Sequence, residues 1–421
     1  MTSVYENTFV LRSATLADGG PADILLRNGL IEQIAPLTED RMRLIPTTVQ
    51  GQTELDLSGY LLLPSPVEPH AHLDKALLGR RVTNVSGDLA GAITAIIEAY
   101  PSMTGDDIGR RGLAALGEAL ASGFTAVRTH VDCRAEIGTT GVAALVRLKE
   151  QLKGVIDLQI VALAGEVGGR DGRAHRDSLA GSLDLGADFV GGVPSLERDS
   201  GASLDELFAM AKDADRGIDL HIDETTDVST LVLRELAERV ISSGFGHAVT
   251  ASHCVSLGMQ DAVTARETAA LIARAGIAVV TLPQTNLFLQ GRDSRTRKPR
   301  GLTAVEDLKA AGVTVAAGGD NWRDPFNPMG RIDAMETASL LVSAGHLLVG
   351  SAYECVSTQA RIAMGLPDVQ VAAGFSADLM AIQAPSLEDA VASGTAQRIV
   401  FKGGRIVART EVTRTLNPLF G

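Results

Sequence analysis

The chain of 421 residues has three cysteines, one tryptophan and no long apolar run. Cys133, Cys254 and Cys355 are scattered without C-x-x-C spacing, so the sequence favours neither a disulfide framework nor a cysteine-ligated zinc site. The longest apolar runs are too short for a membrane span, and the first residues lack the basic and apolar regions of a secretion signal. We therefore expect a cytoplasmic protein with reduced cysteines.

The chain also has fewer basic than acidic residues. The chain has 38 Lys and Arg against 51 Asp and Glu, a formal net charge of −13. Nucleic acids and anionic membranes select basic surfaces, so neither is an expected partner. The composition, 45% hydrophobic and 21% charged, is typical of a globular protein. We expect a small-molecule ligand, and the chain could assemble as a homo-oligomer.

The middle of the chain is regular. Strand-like apolar runs begin near residues 66, 124, 157, 187, 217, 248, 276 and 313. From the second run onward they recur about every 30 residues, the length of a β-α unit, with helical stretches such as 203–216 between them. Eight strands alternating with helices predict a closed (β/α)8 barrel. The alternative is an open doubly wound sheet, but no G-x-G-x-x-G follows the first strand.

Both ends of the chain are rich in strand patterns. Asn28-Gly29, between two strand-like pieces, is a strong hairpin pattern, and residues 378–382 and 398–407 repeat the strand character. We predict one small β-sandwich domain from residues 1–64 and 375–421. The barrel, residues 65–374, would be inserted within it.

Histidines fall at the predicted strand ends. The first strand ends in His70 and His72, which alternation places on one face. The other strand-end residues are His130 after the second strand, His221 after the fifth, His253 after the sixth and Asp320 after the eighth. Barrel enzymes carry their chemistry at the C-terminal ends of the strands, whereas histidines in unrelated loops would scatter over both rims.

This pattern fits metal-dependent hydrolysis. Imidazole and carboxylate ligands around one divalent ion leave a position for water, whose pKa the metal lowers. The expected ligands are His70, His72, His221 and Asp320. Glu224 is suited to accept the water proton, and His253 to orient the water or polarise the bond under attack. The alternative for Glu224 is a carboxylate at a helix N-terminus.

The same residues carry a resemblance. The chain resembles the amidohydrolase superfamily, and within it the bacterial-type cytosine deaminases, over nearly its whole length. The matching segments are 67–74 (VEPHAHLD), 127–132 (VRTHVD), 157–162 (DLQIVA), 221–224 (HIDE), 249–253 (VTASH), 289–292 (LQGR) and 320–325 (DNWRDP). The resemblance implies one Fe or Zn ion on the four ligands above, Glu224 as proton shuttle to the leaving amine, and His253 with Asp320 as activators of the water.

Departures from the cytosine deaminase pattern bear on the substrate. The glutamine that reads the pyrimidine ring corresponds to Gly165, a second aspartate corresponds to Asn321, and Lys75 replaces a small polar residue. Phe326 stands where the family has a tryptophan, while Trp322 lies four residues earlier and serves either packing or substrate stacking. Gln159 and Gln290 are further candidate ring contacts.

These features predict a metal-hydroxide deaminase of a cytosine-like N-heterocycle, a hydrolase of non-peptide carbon–nitrogen bonds in cyclic amidines. Cytosine itself is not expected; candidates are pterin, creatinine, isoguanine and amino- or alkylamino-triazines, with ammonia or a small amine released. A cyclic amide hydrolase is one alternative, although the fourth strand has no lysine to bridge two metals. A non-catalytic metal or small-molecule binding protein is another.

Overall fold

A computed structural model describes residues 8–17, 19–37, 45 and 53–417. The strands in these ranges are β1 (Thr8–Leu16), β2 (Pro21–Arg27), β3 (Leu30–Pro36), β4 (Thr53–Asp56), β5 (Tyr60–Pro64), β6 (Glu68–Ala71), β7 (Ala126–Asp132), β8 (Asp157–Leu163), β9 (Phe189–Gly191), β10 (Gly217–Ile222), β11 (Val249–His253), β12 (Ala278–Thr281), β13 (Val315–Ala317), β14 (Leu379–Gln383), β15 (Arg398–Lys402) and β16 (Arg405–Thr410).

The α-helices of the same ranges are α1 (Leu89–Ala99), α2 (Gly105–Ala121), α3 (Thr140–Gln151), α4 (Arg173–Asp184), α5 (Ser200–Asp213), α6 (Val232–Ser243), α7 (Ala262–Ala275), α8 (Pro283–Leu289), α9 (Val305–Ala310), α10 (Ala334–Ser343), α11 (Val349–Val356), α12 (Thr358–Ala363) and α13 (Leu387–Ser393). Within the described ranges, every helix is too short or too polar to traverse a lipid bilayer.

The chain divides into two compact units, one of them built from both chain ends. This unit comprises Met1–Pro66, Ala119–Thr125 and Asp368–Gly421. Its sheet has the order β16-β15-β14-β5-β1-β2-β3, with β4 also paired to β1. The predicted hairpin joins β2 to β3, with Arg27 opposite Leu30. Asn28 and Gly29 both have positive φ, as the two central residues of a tight hairpin turn require.

The second unit, Val67–Glu118 with Ala126–Pro367, contains the predicted barrel. Within this continuously described stretch, eight parallel strands follow the order β6 to β13. A parallel bridge between Ala71 and Asp320 links the first strand to the end of the eighth, and the Asp320 amide donates to the His70 carbonyl at 3.0 Å. Neighbours in sequence are neighbours in the sheet, so all strand C-termini lie on one rim. The predicted fold class is confirmed.

Helix α5 begins three residues earlier than the sequence indicated. The sequence placed its start at residue 203, where Ser203 and Glu206 have the spacing of a capping box. The helix instead begins at Ser200, where the Asp199 carboxylate accepts from the Ala202 amide at 2.9 Å. The hydroxyl of Ser203 instead donates to Glu197 at 2.7 Å. An aspartate cap and a serine cap are nearly equivalent, so tertiary contacts decide between them.

A buried ion pair crosses the barrel interior. The Arg128 guanidinium on β7 lies 2.8 Å from Asp219 on β10, stacks over Phe189 at 4.1 Å and donates to Gln159 at 2.9 Å. A buried charge is tolerated only when paired and hydrogen-bonded. These strand residues therefore point inward and join the second, third, fourth and fifth strands below the rim.

Candidate functional site

The strand ends bring the four predicted ligands together. Nε2 of His221, at the end of β10, lies 3.2 Å from Nε2 of His70 and 3.2 Å from Nε2 of His72. The Asp320 carboxylate lies 3.2 Å from Nε2 of His72 and 3.6 Å from Nε2 of His70. All four side chains are buried. Residues more than 200 positions apart in sequence thus form one compact cluster.

The donor set fits a metal ion. Two ligand atoms about 2.1 Å from a shared ion at a tetrahedral angle lie about 3.4 Å apart, close to the observed separations. Among the described residues, both carboxylate oxygens of Asp320 have no hydrogen-bond partner. Burial lowers the pKa of His70 and of His221, which keeps their imidazoles neutral and their lone pairs free. His70, His72 and Asp320 together could hold a metal ion.

Glu68 fixes the end of the first strand, a role that the sequence did not reveal. Its carboxylate accepts from the His70 amide at 3.0 Å and from the Gly319 amide at 2.9 Å. Burial raises the pKa of Glu68 to about 8. The side chain ties β6 to the loop after β13, so it aligns His70 with the neighbouring Asp320. Its only sequence feature is its place two residues before His70.

Glu224 and His253 lie beside the cluster. The Glu224 carboxylate is 3.4 Å from Nδ1 of His253, and Nε2 of His253 is 3.9 Å from Asp320. Burial raises the pKa of Glu224 well above its usual value and lowers that of His253 to about 4. The arrangement places a carboxyl group that can hold a proton next to a neutral imidazole. Such a pair suits proton transfer within a dry site.

Asn286, on α8, holds this pair in place and was missed from the sequence. Its amide nitrogen lies 3.0 Å from Nδ1 of His253 and 3.4 Å from the Glu224 carboxylate. Donation to Nδ1 puts the His253 proton on Nε2, which faces Asp320. Gln290, just after α8, donates to the Glu224 carbonyl at 3.2 Å. Asn286 follows Gln284 and Thr285 in this short helix, and no sequence pattern marks it among them.

The orientation of the His72 ring is set by the contacts of its Nδ1 atom. Its Nδ1 lies 3.1 Å from the His130 carbonyl oxygen and 3.3 Å from the Lys75 ammonium. Donation from Nδ1 to this carbonyl leaves the Nε2 lone pair facing the cluster, the usual way in which a partner sets the tautomer of a metal-binding histidine.

His130 lies underneath the cluster. Its ring stacks on His70 with centroids 3.9 Å apart, and its Nε2 is 3.5 Å from Asp219. Together with His70, these two residues form a second group that could hold a metal ion. The Asp219 carboxylate is already paired with Arg128, which makes it a poorer ligand than Asp320.

A cavity opens onto the cluster. The polar side chains that line it are His72, Lys75, Tyr100, Asp132, Arg134, His221, Glu224, His253, Asp320 and Asn321. The apolar ones are Leu89, Ile93, Ile96, Leu163, Ala164, Val193, Leu196 and Phe326.

The predicted ring contacts divide into two sets. Lys75 and Asn321 line the cavity. Gly165, Gln159, Gln290 and Trp322 are absent from the described lining. Trp322 is only 1% exposed, Gln159 contacts Arg128 in the barrel interior, and Gln290 contacts the backbone of Glu224. Phe326 stands on the wall in place of a tryptophan.

His175 fills the space beside Gly165. A Cβ at residue 165 would lie 2.6 Å from Nδ1 of His175, near the start of α4. This nitrogen accepts a hydrogen bond from the Ala135 amide at 2.9 Å. The imidazole thus takes the room that a side chain at residue 165 would need. Gly165, which stands where cytosine deaminases have a glutamine, therefore leaves no vacant space, because His175 occupies it.

Substituting Gly165 with alanine is expected to destabilise the fold by about 1–3 kcal/mol, because the new methyl group overlaps the His175 ring. Adding His175→Ala should recover part of this loss, giving a coupling of about 1 kcal/mol in a double-mutant cycle measured by denaturant unfolding. Gly109→Ala, at a helical position with open space around the new Cβ, is the control and should not destabilise. Additive costs would contradict the contact.

Comparisons with known proteins agree with this geometry. The model of the amidohydrolase family matches residues 79–408, and the chain belongs to this family. It is 33% identical to a pterin deaminase of Rhizobium rhizogenes, over 92% of this chain and 88% of the relative. It is 26% identical to N-isopropylammelide isopropyl amidohydrolase of Pseudomonas sp., over 93% and 98%.

A solved structure gives the same result. The 5-methylcytosine deaminase of Klebsiella pneumoniae, with 5-fluorocytosine bound, superposes with a TM-score of 0.86 at 28% identity, covering 97% of this chain and 100% of that one. The predicted resemblance is confirmed, and the protein is a hydrolase of carbon–nitrogen bonds in cyclic compounds.

Proposed function

We propose that this enzyme removes an exocyclic amino group from a small N-heterocycle by hydrolysis, with one Zn or Fe ion held by His70, His72, His221 and Asp320. The observation that carries the proposal is the position of Glu224 beside this cluster, on the wall of the cavity. A simple metal-binding protein would need neither Glu224 nor His253 there.

The metal, when bound, lowers the pKa of water and polarises the ring bond under attack. Glu224 takes the proton that the attacking water loses, since its carboxylate borders the cavity and the cluster. It then returns this proton to the departing nitrogen, which leaves as ammonia. The added hydroxyl group gives its remaining proton to the ring nitrogen, so that the carbon becomes a carbonyl. Burial raises the pKa of Glu224, which favours the carboxyl group's holding the proton between the two transfers.

His253 orients the reacting groups rather than supplying the proton. Burial lowers its pKa to about 4, so it remains neutral at pH 7. Asn286 at Nδ1 leaves Nε2–H to donate toward the Asp320 side of the cavity. A fixed neutral donor of this kind stabilises negative charge that develops on the reacting oxygen.

The ring is proposed to be an amino-substituted heterocycle other than cytosine. Gly165 offers no side chain, and the His175 ring occupies the adjacent space. Pterin is the first candidate because the pterin deaminase of Rhizobium rhizogenes is 33% identical over most of both chains. Alkylamino-triazines are supported by the ammelide hydrolase relative. Isoguanine, creatinine and amino-triazines are the further candidates.

An ammonia-release assay tests the function. Protein loaded separately with Zn²⁺ and Fe²⁺ should release ammonia from at least one ring of this panel, whereas metal-free protein should release none above background. Ring products should appear in equal amounts by chromatography, and alkylamines are measured for the alkylamino-triazines. Full metal occupancy without release of ammonia or amine from any ring would overturn the proposal.

A further inference from the structure

Arg134 is a charged group on the cavity wall that the reaction does not use. It lies two residues beyond the end of β7 and lines the cavity. Its side chain makes no hydrogen bond or ion pair with any residue in the described ranges, whereas its backbone carbonyl accepts from the Ile137 and Gly138 amides. A guanidinium keeps its charge at any physiological pH and presents five N–H donors in a planar fork. An unpaired fork on the wall of a ligand cavity is free for the ligand.

The neighbouring charged side chains on this wall, Asp132 and Lys75, already have ion-pair partners. The Asp132 carboxylate accepts from Lys75 at 2.9 Å through one oxygen and from the Tyr100 hydroxyl at 2.7 Å through the other. Lys75 also contacts Asp74 at 3.2 Å, so its ammonium is held between two carboxylates. Arg134 is thus a cationic side chain on the described wall that forms no ion pair.

Arg134 is also held in position. The amide of the next residue, Ala135, donates to Nδ1 of His175 at 2.9 Å, and the His175 ring packs against Gly165. This contact anchors the loop after β7 to the start of α4. The imidazole that fills the space beside Gly165 therefore also fixes the backbone beside Arg134.

A basic segment lies near the same cavity. Residues 291–300 contain five Lys or Arg and one Asp in a chain whose net charge is −13. The Arg292 guanidinium lies beside Gly87, where a Cβ would be 3.0 Å from it, just before α1. Leu89, Ile93 and Ile96 of α1 line the cavity. A local patch of positive charge attracts anions and raises their association rate.

We infer that the heterocyclic substrate carries a carboxylate, which the Arg134 guanidinium binds, while the amino group to be removed faces Glu224. This inference rests on the proposed function and names the substrate class within it. Arginine and carboxylate match in shape and form paired hydrogen bonds. Arg134 is therefore a specificity-determining residue and takes no part in the proton transfers.

The test compares rings that differ only in the carboxylate. Kinetics are measured on metal-loaded enzyme with cytosine and cytosine-5-carboxylate, and with pterin and pterin-6-carboxylate. Wild-type kcat/KM should be about 10- to 100-fold higher for the carboxylated member of the ring pair that fits, the effect expected for a hydrogen bond to a charged group. Arg134→Met should remove this preference, and Arg134→Lys should keep part of it.

A binding experiment separates this inference from the proposed function. Uracil, lumazine and their 5- and 6-carboxylates lack the amino group and are titrated by calorimetry into the metal-loaded protein. The carboxylated ring should bind about 10- to 100-fold more tightly, and Arg134→Met should abolish the difference. Arg274→Met, on the exposed end of α7, removes the same charge elsewhere and should change neither assay.

Each outcome is decisive. Equal kcat/KM for both members of every pair that is turned over would overturn the carboxylate inference and leave the proposed function standing. Binding that depends on Arg134 without release of ammonia from any ring would overturn the proposed function and support the carboxylate site. A carboxylate preference that survives in Arg134→Met would assign the anion to another residue and overturn the role of Arg134.

Discussion

Glu224→Gln is expected to lower kcat by about 10²- to 10⁴-fold while leaving the metal content unchanged. The amide keeps the size of the carboxyl group but cannot accept the water proton or return it to the leaving nitrogen. Because Glu224 lies 3.4 Å from His253 and outside the group of His70, His72 and Asp320, the metal should be retained. Steady-state kinetics with elemental analysis of the same samples measure both quantities.

The matched control is Glu166→Gln, an exposed glutamate in the loop after β8, which should change kcat little. A Glu224→Gln enzyme that keeps most of its turnover would show that another group carries the proton. Loss of metal together with turnover would instead make Glu224 a ligand, and its proposed role as a proton shuttle would be wrong.

His221→Ala is expected to abolish detectable turnover through loss of the metal. Nε2 of His221 lies 3.2 Å from Nε2 of His70 and from Nε2 of His72, so the substitution removes the ligand between them. Changing a mere supporting partner of a ligand already costs about 10- to 100-fold in metal affinity, and a ligand should cost more. Equilibrium dialysis against Zn²⁺ or Fe²⁺, followed by elemental analysis, measures the affinity.

Thermal unfolding gives a second readout of the same substitution. Metal at about 100 times its Kd stabilises the folded protein by about 2.7 kcal/mol, so chelation should lower the Tm of the wild type. The Tm of His221→Ala should respond little to chelation. His247→Ala, a partly exposed histidine paired with Asp215, is the control and should behave as wild type. A His221→Ala protein with wild-type metal affinity would remove His221 from the ligand set.

The regular secondary structure could be predicted because it depends on patterns within short stretches of sequence. Apolar runs about every 30 residues indicated the β-α units, and Asn28-Gly29 indicated a hairpin, since both residues tolerate positive φ. That the strand-end residues share one rim could be predicted from the topology. All strands of a parallel barrel end on one side, so strand-end residues as distant as His70 and Asp320 could be grouped before any distance was known.

The supporting contacts could not be predicted, because they depend on tertiary packing. Asn286 reaches His253 and Glu224 from a short helix in which Gln284 and Thr285 are also polar, so nothing in the sequence singles it out. The absence of a glutamine at Gly165 was visible in the sequence, but the His175 imidazole that fills this space is ten residues away and has no pattern linking it to a cavity. The observed start of α5 differed from the predicted start for a similar reason, since Asp199 and Ser203 can both cap a helix.

The central claim is that one metal ion is held at the strand ends by His70, His72, His221 and Asp320. Anomalous diffraction from crystals of metal-loaded protein, recorded on both sides of the Zn or Fe absorption edge, tests it most directly. The account predicts a single peak within about 2.2 Å of the three histidine Nε2 atoms and of one Asp320 oxygen. Two peaks, or one peak beside His130 and Asp219, would contradict it.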